Sequence, residues 1–180
     1  MSETKEFAEQ IIRTLRENGH QAYLVGGCVR DLLLNREPAD YDVTTDATPD
    51  QVMRIFPETY AVGAKFGVVL VPVKDAAGST VEVATFRSDI GYSDGRHPDQ
   101  VRFSMSAQED VERRDFTING LLLDPIKNDV LDFVGGRNDL AAGIIRTIGQ
   151  AEHRFTEDKL RMLRAVRFAA RFEYAIEPDT

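Results

Sequence analysis

Residues 24–42 read LVGGCVRDLLLNREPADYD, and they join a glycine turn to a pair of aspartates. Gly26 and Gly27 end a short apolar strand and open a helix, a geometry that brings backbone N–H groups close to phosphate. Asp40 and Asp42 are two residues apart, so on a strand both carboxylates point to the same face. Two oxygen donors on one face suit a hard divalent cation such as Mg²⁺. A metal site beside a phosphate cradle indicates phosphoryl or nucleotidyl transfer.

The composition is that of one small acidic domain. The chain has 180 residues, 42% of them apolar, which is enough for one core with a second element attached. Its net charge of −8 and its pI near 4.9 argue against a free-standing nucleic-acid-binding protein, which usually carries a basic face. Since no stretch could span a membrane and the N-terminus lacks the apolar run of a signal peptide, no membrane partner is expected.

Cysteine and histidine usage narrows the chemistry further. Cys28 is the one cysteine, so the sequence predicts neither a disulfide framework nor a cysteine metal site. The histidines His20, His97 and His153 are scattered along the chain and predict no zinc site. A reducing, cytoplasmic location is therefore expected.

Charge is distributed unevenly along the chain. Residues 36–60 are rich in acid, whereas residues 155–172 are rich in lysine and arginine. A cation-binding region and a cationic helix in one small protein suit a metal-bound polyphosphate that lies between them.

Hydrophobic periodicity predicts an α/β fold. Helices are expected at 7–18, 29–34, 49–56, 107–121 with a break near Arg114, 138–143 and 156–172, the last capped by Thr156. Strands are expected at 23–25, 41–44, 66–73, 80–86, 121–124, 130–133 and 145–148, with a β-hairpin turning at 74–79. Residues 87–104 are long, polar and aperiodic, which predicts a functional or mobile loop.

Glu82 is a lone acid in the apolar strand VEVATFR. Burying a carboxylate in such a strand is costly unless the carboxylate is paired or binds a cation. Glu82 is therefore a candidate third acid beside Asp40 and Asp42. A salt bridge to a neighbouring arginine is the alternative.

The block VERRDFTING, residues 111–120, places two arginines beside an acid and a hydroxyl. Paired arginines at a helix start are ordinarily solvated. Asp115 and Thr117 can instead orient one of them, through charge-assisted hydrogen bonds, towards a phosphate. A bidentate guanidinium suits that task better than a lysine ammonium does.

A stripe of charge follows the helix FTEDKLRMLRAVRFAARF. Asp158, Arg161, Arg164 and Arg167 recur at every third position, and each lies about 60° back from the last around the helix axis. The leucines, methionine and valine of this helix mostly occupy the other side. Such a stripe offers acceptors and donors for base edges and phosphates together, whereas the alternative is an ordinary solvated face.

Six blocks in this order resemble class II tRNA nucleotidyltransferases, which comprise the CCA-adding enzymes and the related bacterial poly(A) polymerases. The blocks are LVGGCVRDLLL, DYDVTT, VEVATFR, ERRDFTING, LDFVGGRNDLAAGIIRTIG and FTEDKLRMLRAVRFAARF. The resemblance covers residues 23–172, nearly the whole chain. Gly120 departs from it, because the family usually has alanine there, and we expect the change to be tolerated.

The resemblance implies a DNA polymerase β-like nucleotidyltransferase head with a mixed sheet, an α/β (α+β) fold, over residues 1–150. Residues 151–180 would start the helical neck domain. The closing residues EPDT resemble the opening of another helix, so a longer protein with a body and tail that hold tRNA is expected.

The resemblance also implies roles for individual residues. Asp40, Asp42 and Glu82 match the catalytic carboxylates that hold two Mg²⁺ ions. The expected nucleotide-binding residues are Gly26, Gly27, Arg30, Arg114, Asp158, Arg161, Arg164 and Arg167. Among these, Asp158 and Arg161 match the pair that hydrogen-bonds the Watson–Crick edge of incoming CTP or ATP.

The implied activity is template-independent addition of C and A to tRNA 3′ ends from CTP and ATP, with release of pyrophosphate. One Mg²⁺ would activate the RNA 3′-hydroxyl and the other would support the departing pyrophosphate. The segment 87–104 resembles the flexible loop associated with the switch from C to A addition, which favours A-competence.

Three alternatives stay open. A poly(A) polymerase of the same family ranks second, because its relatives usually carry a more basic stretch where this chain has VGAKFG at 62–67. A CC-adding or A-adding specialist keeps the same motifs. A non-catalytic nucleotide-binding module is disfavoured, because it would not need both aspartates.

Overall fold

The fold was obtained as a computed structural model that describes residues 3–73 and 78–180. Its α-helices are α1 Glu3–Glu17, α2 Gly27–Leu33, α3 Pro49–Ile55, α4 Ala107–Glu112, α5 Gly136–Ala142, α6 Ala151–Glu157 and α7 Leu160–Phe172. Short 3₁₀ turns lie at Ala64–Phe66 and Thr117–Asn119. Within these described ranges, no helix combines the length and the hydropathy needed to cross a membrane.

The strands form one large sheet and two small ribbons. They are β1 Ala22–Val25, β2 Asp42–Thr45, β3 Tyr60–Gly63, β4 Val68–Pro72, β5 Thr80–Thr85, β6 Arg87–Ile90, β7 Gln100–Phe103, β8 Leu121–Asp124, β9 Asp129–Asp132, β10 Ile144–Ile145 and β11 Ala175–Ile176. The large sheet has seven strands in the order β3-β4-β5-β2-β1-β8-β9, while β6-β7 and β10-β11 pair separately.

The large sheet is mixed, as the sequence predicts. Strands β2 and β5 run parallel, with Asp42 opposite Glu82 in the register. Every other neighbouring pair of this sheet is antiparallel. Since a parallel pair needs a long crossover, the chain between β2 and β5 first builds α3 and the β3-β4 edge.

Apolar helix faces cover one side of the sheet. Helix α1 buries Ala8, Ile11, Ile12 and Leu15 at helical spacing and packs on β1, β2 and β5. Helix α3 begins with Pro49 at its first position and packs on β4 and β5. The opposite side is thereby left for the polar residues of β2 and β5, Asp42 and Glu82 among them.

The β-hairpin expected around residues 66–86 is confirmed. Strands β4 and β5 pair antiparallel from Val68–Ala84 to Pro72–Thr80. The Val73 N–H donates to the Ser79 carbonyl at 2.9 Å, which brings the ends of the turn together. Four residues of the predicted turn, 74–77, lie outside the described residues.

The expectation of a loop without secondary structure at 87–104 is wrong. Strands β6 and β7 pair antiparallel within it, from Arg87–Phe103 to Ile90–Gln100. The ribbon was not predicted because it buries little apolar surface, so its sequence shows no alternation of apolar and polar residues. Its order comes from polar contacts instead, such as the Tyr92 hydroxyl that donates to Asp89 at 2.8 Å.

One predicted helix ends earlier than expected, and another is interrupted. Helix α4 stops at Glu112 because the following residues pair with the β10 region, where the Thr117 N–H donates to the Arg146 carbonyl. The helix expected at 156–172 is two helices with a break at Asp158. Thr156 does not cap it, since its hydroxyl donates back to the Glu152 carbonyl inside α6. The Asp158 carboxylate instead accepts the Leu160 N–H at 2.9 Å.

Strand β3 was not predicted. Its residues Tyr60, Ala61 and Val62 are exposed, and it lies at the edge of the sheet. An exposed edge strand buries neither face, so it leaves no alternation of apolar and polar residues in the sequence.

Gly120 sits in a tightly filled corner. A Cβ at this position would lie 2.9 Å from Val134 Cγ2, 3.0 Å from Ile148 Cδ1 and 3.1 Å from Val111 Cγ1. The space of an alanine methyl group is therefore already taken by three neighbouring side chains.

Gly136 is expected to be indispensable for the fold, since a Cβ there would overlap the backbone carbonyl of Thr117. We expect Gly136→Ala to lower the free energy of unfolding by about 2 kcal/mol or more through overpacking. Gly135→Ala is the matched control. Gly135 has a φ of +79° but open space around it, so Gly135→Ala should lower the free energy of unfolding by only about 1 kcal/mol through backbone strain. Urea unfolding of both variants measures the difference, and equal losses would contradict the packing argument.

Candidate active site

The predicted site residues come together in one cleft of about 470 Å³. Of the predicted catalytic and nucleotide-binding residues, all except Glu82 line it. Its described lining includes seven arginines and four aspartates, so the cleft carries an excess of positive charge in an otherwise acidic protein. A cationic cleft with a small set of carboxylates suits a metal-bound polyphosphate.

The glycine turn forms one wall of the cleft. Gly26 has φ +76° and ψ −129°, a conformation that L side chains rarely adopt, and it precedes the first turn of α2. A Cβ on Gly26 would also lie 3.4 Å from Nη1 of Arg114. Glycine at this position therefore allows the turn and leaves room for the Arg114 guanidinium beside it.

The acids of the site lie on neighbouring parts of the chain. Asp42 is the first residue of β2, and Asp40 lies two residues before it, outside the strand. Both nonetheless line the cleft, as predicted. Glu82 is Asp42's partner in the β2-β5 register, so its side chain points to the same face one strand away.

The burial expected for Glu82 is wrong. Its side chain is exposed, because β4 and β5 leave the face that carries Glu82 uncovered by any helix. Among the described residues, no ion pair joins Glu82 to an arginine, so the alternative of a structural salt bridge receives no support.

The Asp42 carboxyl is electrostatically unfavourable in its ionised form. Burial, together with the neighbouring Glu82 and Asp40 charges, raises its pKa from 3.8 to about 7, and Arg114 opposes the shift. Within the described residues, no group of three or more His, Cys, Asp or Glu side chains is arranged to hold a metal ion. The donors of Asp40 and Asp42 are nonetheless carboxylate oxygens, the ligand type that Mg²⁺ takes, and a cation would relieve the repulsion at Asp42.

Asp110 is a site residue that the sequence analysis missed. It is fully buried, and its carboxylate accepts hydrogen bonds from Arg113 Nη2 at 2.8 Å, Arg114 Nη2 at 3.0 Å and Thr44 Oγ1 at 3.2 Å. Burial alone would raise the pKa of Asp110, but Arg114 and Arg113 hold it below its ordinary value. The signal was present in the sequence, since Asp110 stands three and four positions before the two arginines on a predicted helix.

Asp115 orients an arginine, but not one of its own cluster. Its Oδ2 accepts a hydrogen bond from Nε of Arg164 at 2.7 Å and forms an ion pair with Nη2 at the same distance. Its Oδ1 accepts the Asn119 amide at 3.1 Å. Thr117 likewise faces away from the cluster and donates to Asp139. The role assigned to Asp115 and Thr117 is corrected accordingly, since Asp110 performs it.

Asp158 and Arg161 both line the cleft, but their side chains are not bonded to each other in the contacts described. Arg161 is only 7% exposed and donates to Glu157 Oε2 at 2.8 Å and to the Arg154 carbonyl at 3.1 Å. Asp158 stands at the break between α6 and α7. Both residues therefore line the cleft where helix α6 gives way to helix α7.

Arg30 holds α2 against α7 as well as lining the cleft. Its guanidinium donates to Asn119 at 2.6 Å and to Asp31 at 2.9 Å, and it stacks 4.6 Å from the ring centre of Phe172. The two hydrogen bonds use two of the five N–H groups of the guanidinium, so others stay available to a ligand. Arg167, by contrast, is exposed and has no ion-pair partner among the described residues.

Comparison with known proteins agrees with this geometry. A family model described as the Poly A polymerase head domain matches residues 22–146. The chain belongs to this family. The predicted resemblance and the mixed-sheet head are thereby confirmed.

Close relatives of this family member are CCA-adding enzymes. The chain is 49% identical to the Geobacillus stearothermophilus CCA-adding enzyme over 170 residues, which cover 94% of this chain and 41% of the relative. The solved structure of the Bacillus stearothermophilus CCA-adding enzyme in complex with CTP is 45% identical, with a TM-score of 0.88, and the match covers 100% of this chain and 42% of that one. The Thermotoga maritima CCA-adding enzyme complexed with tRNA is 29% identical, with a TM-score of 0.73, over 96% of this chain and 38% of the other. The chain thus spans about two-fifths of the length of these relatives.

The raised pKa of Asp42 makes a prediction about pH. The folded carboxyl keeps its proton to a higher pH than the unfolded one, so it reduces stability as the pH rises from 3.8 to about 7. Asp42→Asn removes this loss. We expect the free energy of unfolding of the variant, relative to the wild type, to rise by about 2 kcal/mol from pH 5 to pH 8 in the presence of EDTA.

Urea unfolding of both proteins at the two pH values measures this effect. Mg²⁺ added at pH 8 should stabilise the wild type and leave Asp42→Asn unchanged. Parallel pH dependences for the two proteins would show that Asp42 ionises normally.

A second prediction separates two arginines of the cleft, Arg30 and Arg167. Arg30→Lys removes a planar fork that bonds two partners and stacks on an aromatic ring, so we expect a loss of about 2 kcal/mol in the free energy of unfolding. Arg167→Lys is the matched control and should be neutral within about 0.5 kcal/mol. The measurement is urea unfolding without nucleotide, and a neutral Arg30→Lys would show that Arg30 does not hold α2 to α7.

Proposed function

We propose that the chain is the catalytic head of an enzyme that adds C and A to tRNA 3′ ends from CTP and ATP and releases pyrophosphate. The observation that carries the proposal is the single cleft in which Asp40, Asp42, the glycine turn and the arginines of α7 meet. High identity to CCA-adding enzymes across nearly the whole chain supports it.

We assign the part of the cleft that holds the glycine turn, Arg30 and Arg114 to the triphosphate of the nucleotide. Gly26 and Gly27 would present backbone N–H groups to the triphosphate, and Arg30 and Arg114 would neutralise it. Arg114 is suited to this role, because Asp110 holds one of its nitrogens while its buried Nε has no hydrogen-bond partner in the described structure.

The far end of the cleft would bind the nucleobase. Asp158 and Arg161 would read the Watson–Crick edge of CTP or ATP, since together they offer an acceptor and several donors. Arg164 and Arg167 would add further nucleotide contacts. Arg164 is held by Asp115, whereas the side chain of Arg167 is exposed and can follow the ligand.

The reaction would proceed by in-line displacement. The RNA 3′-hydroxyl oxygen bonds to the α-phosphorus, the bond from that phosphorus to the bridging oxygen breaks, and pyrophosphate leaves with the electron pair. The hydroxyl proton passes to solvent. Asp40, Asp42 and Glu82 would hold Mg²⁺, which supplies charge neutralisation and Lewis acidity when bound. Divalent metals are typical of nucleotidyltransferases of this kind.

We further propose that residues 1–150 form the head and that residues 151–180 begin the helical neck. The end of the family match at residue 146 supports this boundary. Helix α7 also leaves the apolar side chains of Leu160, Met162, Leu163 and Val166 exposed, as expected for a helix that further structure covers.

A poly(A) polymerase is the second candidate, because the matching family model is described by that name. It would use the same cleft and the same displacement. The difference lies in the acceptor and in repeated use of ATP.

The test is nucleotide incorporation with Mg²⁺ onto tRNA transcripts that lack three, two or one nucleotide of the terminal CCA, with CTP and ATP supplied separately. We expect ordered addition of C, C and A. Asp40→Ala and Asp42→Ala should each lower the rate about a hundredfold or more, because transition-state charge loses its support. Asp129→Ala, an exposed acid at the opposite sheet edge, is the control and should keep full activity.

Other outcomes have distinct meanings. Repeated ATP addition to any RNA would favour the poly(A) polymerase. Addition of only C or only A would identify a specialist. Mg²⁺-dependent activity retained in full by Asp42→Ala would refute the proposed mechanism, and nucleotide binding without any transfer would identify a binding module.

A further inference from the structure

Three arginines surround the ring of Phe172 beside the cleft, and two of them have no role so far. The guanidinium carbons of Arg30, Arg171 and Arg36 lie 4.6, 5.2 and 5.3 Å from the centre of this ring, which is only 6% exposed. Arg30 and Arg171 line the cleft, whereas Arg36 does not. We call these four residues the Phe172 cluster.

The Phe172 cluster carries more positive than negative charge. Asp31 forms ion pairs with Arg30 at 2.8 Å and with Arg171 at 3.7 Å, and in the described structure it is the one carboxylate paired with these arginines. Arg36 has neither an ion pair nor a side-chain hydrogen bond among the described residues. Three cations that share one carboxylate repel each other, and contact with an aromatic ring offsets only part of that cost. An anion would complete the cluster.

The Phe172 cluster continues the line of arginines along α7. Arg164 and Arg30 lie 5.2 and 5.3 Å from the centre of the Phe168 ring, which stacks on Phe172 at 6.2 Å. Arg171 is seven positions after Arg164, so the two lie only about 20° apart around the helix axis. The line therefore leads from the proposed nucleotide contacts of α7, past Arg30, to the Phe172 cluster.

The arginines of the cluster differ in how firmly they are held. Arg30 is buried and donates to Asn119 and Asp31. Arg36 is exposed and follows α2, a helix about 10 Å long that begins at the glycine turn. Arg171 is 47% exposed and lies in the last turn of α7, where the helix dipole favours a cation. Arg30 can thus hold a phosphate in place, while Arg36 and Arg171 can move with one.

We propose that Arg36 and Arg171 form an outer anion site, which receives pyrophosphate after it leaves the triphosphate part of the cleft. This inference rests on the proposed function, since that reaction releases pyrophosphate beside Arg30. Groups that bind the triphosphate tightly also retain the product, and product release limits turnover in many enzymes. A second cationic site beside Arg30 replaces the contacts that pyrophosphate loses as it departs.

The charge of the cluster favours pyrophosphate over a phosphate of the RNA backbone. Three guanidinium groups against one carboxylate leave an excess of two positive charges. Each backbone phosphate of a nucleic acid carries one negative charge, whereas pyrophosphate carries several on two adjacent phosphate groups. Guanidinium groups bind such oxygens through paired hydrogen bonds. The excess charge is therefore matched by a compact, multiply charged anion.

The test measures pyrophosphate binding to protein whose cleft is already filled. The protein is saturated with Mg²⁺ and an α,β-methylene analogue of CTP, and radiolabelled pyrophosphate is then added in equilibrium dialysis. We expect pyrophosphate still to bind, because the analogue blocks the triphosphate part of the cleft and leaves the outer site open.

Substitutions identify the residues that bind it. Arg36→Gln and Arg171→Gln should each weaken this binding about tenfold, because each removes a charged hydrogen-bond donor. Arg36→Lys keeps the charge and should stay within about threefold of the wild type. Arg13→Gln replaces an exposed arginine of α1 that does not line the cleft, and as the matched control it should leave binding unchanged.

The affinity for the analogue separates the outer site from the triphosphate part of the cleft. Every variant should bind the analogue within about twofold of the wild type, since exposed charges act weakly at a distance. If the two glutamine variants lose as much affinity for the analogue as for pyrophosphate, both arginines contact the bound nucleotide and the outer site is wrong. It is equally wrong if the analogue-saturated wild type binds no pyrophosphate, or if the glutamine variants bind it as well as the wild type does.

Failure of the proposed function would look different. A protein that binds no analogue and transfers no nucleotide would refute that function. Binding of pyrophosphate that still depends on Arg36 in such a protein would support the anion site alone.

Discussion

The carboxylate of Asp110 is the constraint on which the site depends. It has no exposed surface, so its charge is tolerable only because Arg113, Arg114 and Thr44 all bond to it. Through these contacts one buried group joins helix α4, strand β2 and the arginine beside the glycine turn. The residues that line the cleft are thereby held by a group that does not touch it.

Arginines of α7 are likewise held by carboxylates. Arg161 is bonded to Glu157, Arg164 to Asp115, and Arg171 lies 3.7 Å from Asp31. Each of these three guanidinium groups thus has a carboxylate that fixes its direction, while the cleft retains a net positive charge. Electrostatic groups that are fixed before the substrate arrives need little reorganisation when charge develops, which is the main advantage of a preorganised site.

Several elements of the fold and the glycine turn could be predicted from the sequence, because they depend on residues that are close together in the chain. The glycine turn, β1, β2 and α1 followed from apolar spacing and from the conformations that glycine allows. The contacts between distant segments did not follow. Asp115 pairs with Arg164, 49 positions away, and not with the arginine next to it. Glu82 is exposed although its strand is apolar, because burial depends on whether a helix covers that face. The β6-β7 ribbon is ordered by hydrogen bonds between polar groups, for which a single sequence carries no periodic signal.

The parallel pairing of β2 with β5 also bears on how the protein reaches its native state. Asp42 and Glu82 are about 40 residues apart in the chain, and the arginines of α7 come later still. Contacts over such separations form slowly, because a long segment of chain must be ordered before they can stabilise it. During synthesis the glycine turn and the first aspartates emerge well before the helix that faces them. Nucleotide affinity should therefore appear late in folding, and it would serve as a sensitive reporter that the last wall of the cleft has docked.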